Sequence, residues 1–180
     1  FAGSKLEKYG CNLTKKPSTW IGYPGESVII NGDQRYIESN SVWFDSLSFT
    51  NFCNTAVRTV SGAKYNNMRR CKWSNVVSNL QGNSNQGVYF ASRSSKGYGH
   101  TFQDCEFVDL EGVSAIGSLY ENERLLVENC KFYNFRGNGD SGFNWPLALK
   151  SQISYATVRN NFASAPLIVG GPSNSDLWNS

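Results

Sequence analysis

Apolar and polar positions recur in one nine-residue order at four places along the chain. FDSLSFTNF from Phe44, MRRCKWSNV from Met68, FQDCEFVDL from Phe102 and VENCKFYNF from Val127 share it: apolar, two variable, Cys or Leu, polar, Phe or Trp, variable, Asn or Asp, apolar. A shorter fifth copy, VRNNFA, begins at Val158, and the intervals between anchors are 24, 34, 25 and 31 residues. Self-similarity at roughly 25 residues, lengthened in some copies, is the pattern of a chain that winds, copy stacked on copy. One copy holds too few apolar side chains to form a core alone, so the anchors are expected to make an interior column.

Apolar residues at the first, fourth and sixth places do not fit one straight strand, whose side chains alternate every second residue. A bend within the copy is therefore expected. A corner is expected at Asn51, Asn75, Asp109 and Asn134, because Asn and Asp tolerate left-handed backbone and bond locally to it. Stacked side chains of this kind also bond to one another along the stacking axis. After each corner a second short strand is predicted, at 56–60, 87–91, 113–117, 146–150 and 166–170. The Gly-, Asn- and Ser-rich stretches 78–87, 92–100 and 136–145 read as inserted loops, the first places to look for a ligand. Residues 1–16 are polar, basic and unpatterned, and read as a lead-in or partial cap; residues 17–180 read as one β domain. Its closing GPSNSDLWNS stops where another rung could start, so a longer coil, a covering partner chain or a homotrimer is expected.

Composition narrows the class. The chain has 180 residues, 39% hydrophobic and 17% charged, with no ten-residue stretch of helical apolar period. The net charge of +3 suits an acidic polymer and falls short of a nucleic-acid footprint. No apolar run approaches the roughly 20 residues that span a bilayer. Of five cysteines, Cys71, Cys105 and Cys130 share one repeat position, about 5 Å apart if stacked. They read as compact core residues, although a Cys105–Cys130 bridge is conceivable at that spacing. With a single His and no Cys-x-x-Cys, no metal site is expected from Cys and His.

The repeat, together with the opening KKPSTWIGYPGESVIING, resembles the right-handed parallel β-helix of the pectate-lyase-like superfamily, from about Lys16 to Ser173. Within that opening Pro24-Gly25 reads as a turn between two strands. The resemblance implies an all-β solenoid of about five to six coils, secreted or at the cell surface. PLALKSQISYATVRNNF is similar to a lysine-bearing rung of polysaccharide lyase family 6, the alginate lyase and chondroitinase B group. That similarity implies Lys150 as the base that takes the proton beside a uronate carboxylate, with calcium as a cofactor to weigh. The chain departs from the family in two ways: PLIVGGP stands where an Arg-His-Gly segment is expected, and Asn144, Trp145 and Pro146 stand where calcium-holding acids would be.

Other candidates come from the residues themselves. Tyr98 and His100 form a second acid–base pair for uronate elimination, with Lys96 beside them. Arg58, Arg93 and Lys150 are expected on one broad positive face. Tyr120, Phe143 and Trp145 lie in or near loops, where a flat ring stacks on a sugar. Asp104 and Glu128 are near-equivalent on consecutive coils, but paired-Asp hydrolase motifs are absent. The expected function is action on, or binding of, an acidic uronate-containing polysaccharide. The alternative is a non-catalytic coil, a glycan-binding adhesin or a phage tail-spike shaft.

Overall fold

Each copy of the repeat folds as two extended runs separated by one left-handed residue, which resets the side-chain alternation so that the first, fourth and sixth places all face inward. The left-handed residues are Ser46, Arg70, Asp104, Asn129 and Asn160, with φ between 50° and 57°. The computed structural model describes residues 11–13, 17–33, 37–53, 55–59, 62–77, 87–92, 96–112, 114–118, 122–136, 146–149, 153–164 and 168–169. Among them the regular structure is all strand, with no helix, and so no helix long and apolar enough to cross a membrane.

The chain makes repeated passes through the same sheets. The first pass is β1 (Cys11–Leu13), β2 (Ser18–Ile21) and β3 (Val28–Asp33), and the second is β4 (Ile37–Ser39), β5 (Val42–Asp45) and β6 (Leu47–Phe52). The third is β7 (Val57–Thr59), β8 (Asn67–Arg69) and β9 (Lys72–Val77). The fourth gains a strand: β10 (Gly87–Ser92), β11 (Gly97–Tyr98), β12 (Thr101–Gln103) and β13 (Glu106–Glu111). The fifth is β14 (Ser114–Ser118), β15 (Asn122–Glu123), β16 (Leu126–Glu128) and β17 (Lys131–Arg136). The sixth is β18 (Leu147–Leu149), β19 (Ile153–Ser154), β20 (Thr157–Arg159) and β21 (Phe162–Ala163), and β22 (Ile168–Val169) follows.

Strands in the same place on successive passes pair with one another. The first sheet is ordered β1-β4-β7-β10-β14-β18-β22, the second β2-β5-β8-β12-β16-β20, the third β3-β6-β9-β13-β17-β21, and a short sheet β11-β15-β19 lies between first and second in chain order. All pairings are parallel, as in Phe102 against Met68 and Val127, or Phe107 against Trp73 and Phe132. This is an all-β, parallel-sheet architecture compatible with a β-solenoid. Two readings of the sequence are corrected. The stretch 11–13, read as unpatterned, is a strand paired with β4, and the run 92–100, read as loop, contains β11. The five second strands fall where the pattern put them, as β7, β10, β14, β18 and β22. The predicted Pro24-Gly25 turn forms with Gly25 at φ 85°, and Glu26 N–H donates to Tyr23 C=O (3.0 Å).

The repeat residues fill the interior. Phe44, Met68, Phe102 and Val127 are buried, as are Leu47, Cys71, Cys105 and Cys130. Phe49, Trp73, Phe107 and Phe132 form a continuous face-to-face stack, with centroids 5.1, 4.6 and 5.1 Å apart and rings within 7° of parallel. Cys53, Cys71, Cys105 and Cys130 are free thiols, so no Cys105–Cys130 bridge forms. Each column thiol donates to a carbonyl one rung back, Cys71 to Phe44 and Cys105 to Met68. Burial pushes Cys71 up to about 12 and Cys105 upward as well, which keeps both protonated.

The expected corner residues Asn51, Asn75, Asp109 and Asn134 are all left-handed, with φ between 54° and 57°. They bond along the stack: Asn75 Nδ2 donates to Asn51 Oδ1 (2.6 Å) and Asn134 Nδ2 to Asp109 Oδ1 (3.3 Å). A third left-handed file, unexpected from the sequence, runs through Ser41, Tyr65, Gly99, Arg124 and Tyr155. Corners thus come at five-residue intervals, as at Tyr65, Arg70 and Asn75 or Arg124, Asn129 and Asn134.

Candidate functional site

The third corner file stands between the short sheet and the second sheet, and its Tyr65, Arg124 and Tyr155 side chains are exposed. Its register is fixed by backbone bonds. Tyr65 N–H donates to Tyr98 C=O (2.8 Å), Gly99 N–H to Glu123 C=O (2.8 Å) and Arg124 N–H to Ser154 C=O (2.9 Å). The residues just before the file, Lys64, Tyr98 and Glu123, form one row across the strands.

These elements bring Tyr98 together with two residues that the sequence reading did not single out. The Tyr65 ring meets Tyr98 edge-on, centroids 5.4 Å apart at 83°. From the next rung the Arg124 guanidinium carbon lies 5.6 Å from the centre of the Tyr98 ring, a cation–π contact. Tyr65 is 54% exposed, and Tyr155, further along the file, 80%. Trp43, also exposed, is in register with Asn67 in the second sheet. Lys96 Nζ lies 2.8 Å from Glu123 Oε2, so Glu123 is already neutralised. Lys64 and Arg124 have no ion-pair partner among the described residues, which leaves the Tyr98 rung flanked by two open positive charges.

Tyr65 and Arg124 were legible only through spacing. Each lies five residues before another left-handed corner, Arg70 and Asn129, and neither residue type announces such backbone.

His100, two residues beyond Tyr98, is fully buried. It occupies an interior file between Asn66 and Leu125, and its Nδ1 accepts the Asn66 backbone N–H at 3.4 Å. Asn66 is itself held there, its Oδ1 accepting the Val42 N–H (3.0 Å) and its Nδ2 donating to Ser39 Oγ (3.1 Å). The imidazole is packed as a polar core group, out of reach of a polymer on the surface. Tyr98 and His100 thus point to opposite sides of the wall.

Arg58 is on β7, in register with Glu38 and Phe90. That row continues through Gly117, Ala148 and Ile168, so Lys150 is two residues past it in chain order. Lys150, Arg93, Tyr120, Phe143 and Trp145 lie outside the described residues. The approach of Asp104 to Glu128 is corrected by one residue of register. Glu128 is opposite Gln103, and Asp104 Oδ1 accepts Asn129 Nδ2 (3.2 Å). Glu128 is held by Arg159 Nε (2.6 Å) and Gln103 Nε2 (3.2 Å), which lower its pKa. A carboxylate so engaged is a structural anion rather than a glycosidase acid.

A third ion pair lies in the second sheet, where strands β5 and β8 end. Arg70 binds Asp45 in a two-point contact, Nε to Oδ1 at 2.9 Å and Nη2 to Oδ2 at 2.6 Å. Burial alone would raise the Asp45 pKa, but hydrogen bonds from Arg70 and Ser46 outweigh it and the net shift is downward. Among the described residues no group of three or more His, Cys, Asp or Glu side chains gathers as a metal-binding set. In comparisons with known proteins, no family model, no curated protein and no solved structure matches the chain.

Proposed function

We propose that this chain is a right-handed parallel β-helix of the pectate-lyase-like kind, working outside the cell, whose flank beside the short sheet takes an acidic, uronate-containing glycan. One observation carries the reading: exposed aromatic rings and a cation without an ion-pair partner among the described residues, Tyr65, Tyr155 and Arg124, share one file across the parallel strands, with Lys64 in the row beside it. A linear polymer suits such a file, because strand spacing places successive positions about 4.8 Å apart along the stack. Aromatic faces accept the apolar face of a pyranose ring, and guanidinium and ammonium groups accept its carboxylates.

Lyase-like turnover is the enzymatic form of this proposal. β-Elimination needs a base for the proton next to the carboxylate and a cation that stabilises the charge developing there. On the Tyr98 rung the phenol and Arg124 are the groups suited to those tasks, and the family-derived base Lys150 is the other candidate.

The test is incubation with alginate, chondroitin and pectate. Retention is followed by affinity electrophoresis, and cleavage by the ultraviolet absorbance of unsaturated uronate. Retention with new absorbance supports a lyase. Retention without it supports the non-catalytic form, an adhesin or a spike shaft. Neither signal with any of the three polymers overturns the proposal.

A further inference from the structure

We infer that Tyr65, Tyr98 and Arg124 form a subsite for a single uronate residue, its sugar ring on the Tyr65 face and its carboxylate on the Arg124 guanidinium; this rests on the glycan reading above. The geometry that points to it begins with Gly99. A Cβ built there would lie 2.8 Å from Tyr65 Cδ1, so the absence of a side chain is what lets the phenol lie back across the next rung. Tyr98 holds that ring edge-on from the neighbouring row. The result is an aromatic platform fixed before any ligand arrives yet 54% exposed, which lowers the ordering cost of binding.

Arg124 reaches the same place from the opposite side. Its Cα is two rungs from Tyr65, about 10 Å at strand spacing, but its guanidinium leans back over Tyr98. The ring and the cation therefore converge on Tyr98, the Tyr65 ring centre 5.4 Å and the Arg124 guanidinium carbon 5.6 Å from the centre of its ring. Glu123, the acid of that row, is taken by Lys96, and among the described residues Arg124 has no ion-pair partner. Lys64, in register with Tyr98, adds a second positive group on the approach side. A planar guanidinium binds a carboxylate through two parallel N–H donors, which selects an acid over a neutral sugar.

The experiment titrates the full chain with an oligogalacturonate and with its methyl ester, a neutral molecule of the same shape. The acid should bind at least about tenfold more tightly, the factor that one charge-assisted hydrogen-bond pair supplies. Arg124→Gln should remove most of that difference and leave ester binding in place. Arg124→Lys, with charge but no fork, should fall between. Tyr65→Ala, and Gly99→Ala by displacing the ring, should weaken acid and ester together. In the unmodified protein, amide and aromatic NMR shifts of Tyr65, Tyr98 and Arg124 should move with the acid, a readout independent of whether any variant folds. Acid binding that leaves those shifts and the Arg124→Gln affinity unchanged overturns the subsite while the glycan reading stands. No binding of this or any other acidic oligosaccharide overturns both.

Discussion

Trp73 shows how individual residues in this stack are constrained by their neighbours above and below. Its ring is held between Phe49 and Phe107, yet its indole Nε1–H is buried without an acceptor among the described residues. An unmet donor of this kind costs about 1–3 kcal/mol, which offsets part of what the larger ring gains by burial. Trp73→Phe should therefore lie within about 1 kcal/mol of the parent, whereas Trp73→Ala should lose about 3–5 kcal/mol, as emptied aromatic core sites do. Urea denaturation of both variants checks this, and a loss for Phe as large as for Ala would refute it. Asp45 offers a pH-dependent counterpart. Its folded pKa is depressed, so its contribution to stability is full above the unfolded value of about 3.9 and is lost as pH falls through the lower folded value. The gap in urea midpoint between Asp45→Asn and the parent should be open at pH 7 and should shrink below about pH 4. A gap that stays constant down to pH 2 would contradict the assignment.

At the scale of elements, the corner files decide where the chain turns. Asn75 combines left-handed backbone with a bond to Asn51. Replacement by Ala removes the bond and leaves a residue that resists that conformation, about 2 kcal/mol together. Asn75→Gly loses only the bond and should cost roughly half as much. Equal losses in thermal or urea unfolding would mean the backbone strain is negligible. The nine-residue order gave the strands of the third sheet and the Asn/Asp corner, because burial and left-handed backbone there both demand particular residue types. The file through Tyr65, Arg124 and Tyr155 was hidden because its backbone is imposed by register with adjacent rungs, and a Tyr or Arg carries no mark of it. The short sheet was hidden for the opposite reason: β11 sits in a Gly- and Ser-rich stretch that reads as loop until pairing with β15 is seen. His100 was misjudged on the same ground. Its neighbourhood looked like a loop, while its place in the rung equals that of Asn66 and Leu125, inside.

For the molecule as a whole, the candidate site was half legible. Lys96 and Tyr98 were named on chemistry alone, and the fold supplies their partners from rungs 25 to 35 residues away in sequence. Length differences between copies leave the pairing order of the sheets intact, since the variable stretches fall between strands, and β10 against β14 shifts register only between Phe90 and Ser92. Function is thereby free to vary on the flank while the interior files remain fixed.

The bonds joining one pass to the next all run along the stacking direction, and β1 and β22 are at opposite ends of the first sheet. Tension applied to the two termini therefore loads those bonds in series, peeling the terminal pass first rather than shearing the whole body. Each peeled pass frees 24–34 residues, about 80–120 Å of slack at full extension. Held in an optical trap, the protein should lengthen in a staircase of such increments, like thread leaving a spool; one indivisible rip would show that the passes are mechanically fused.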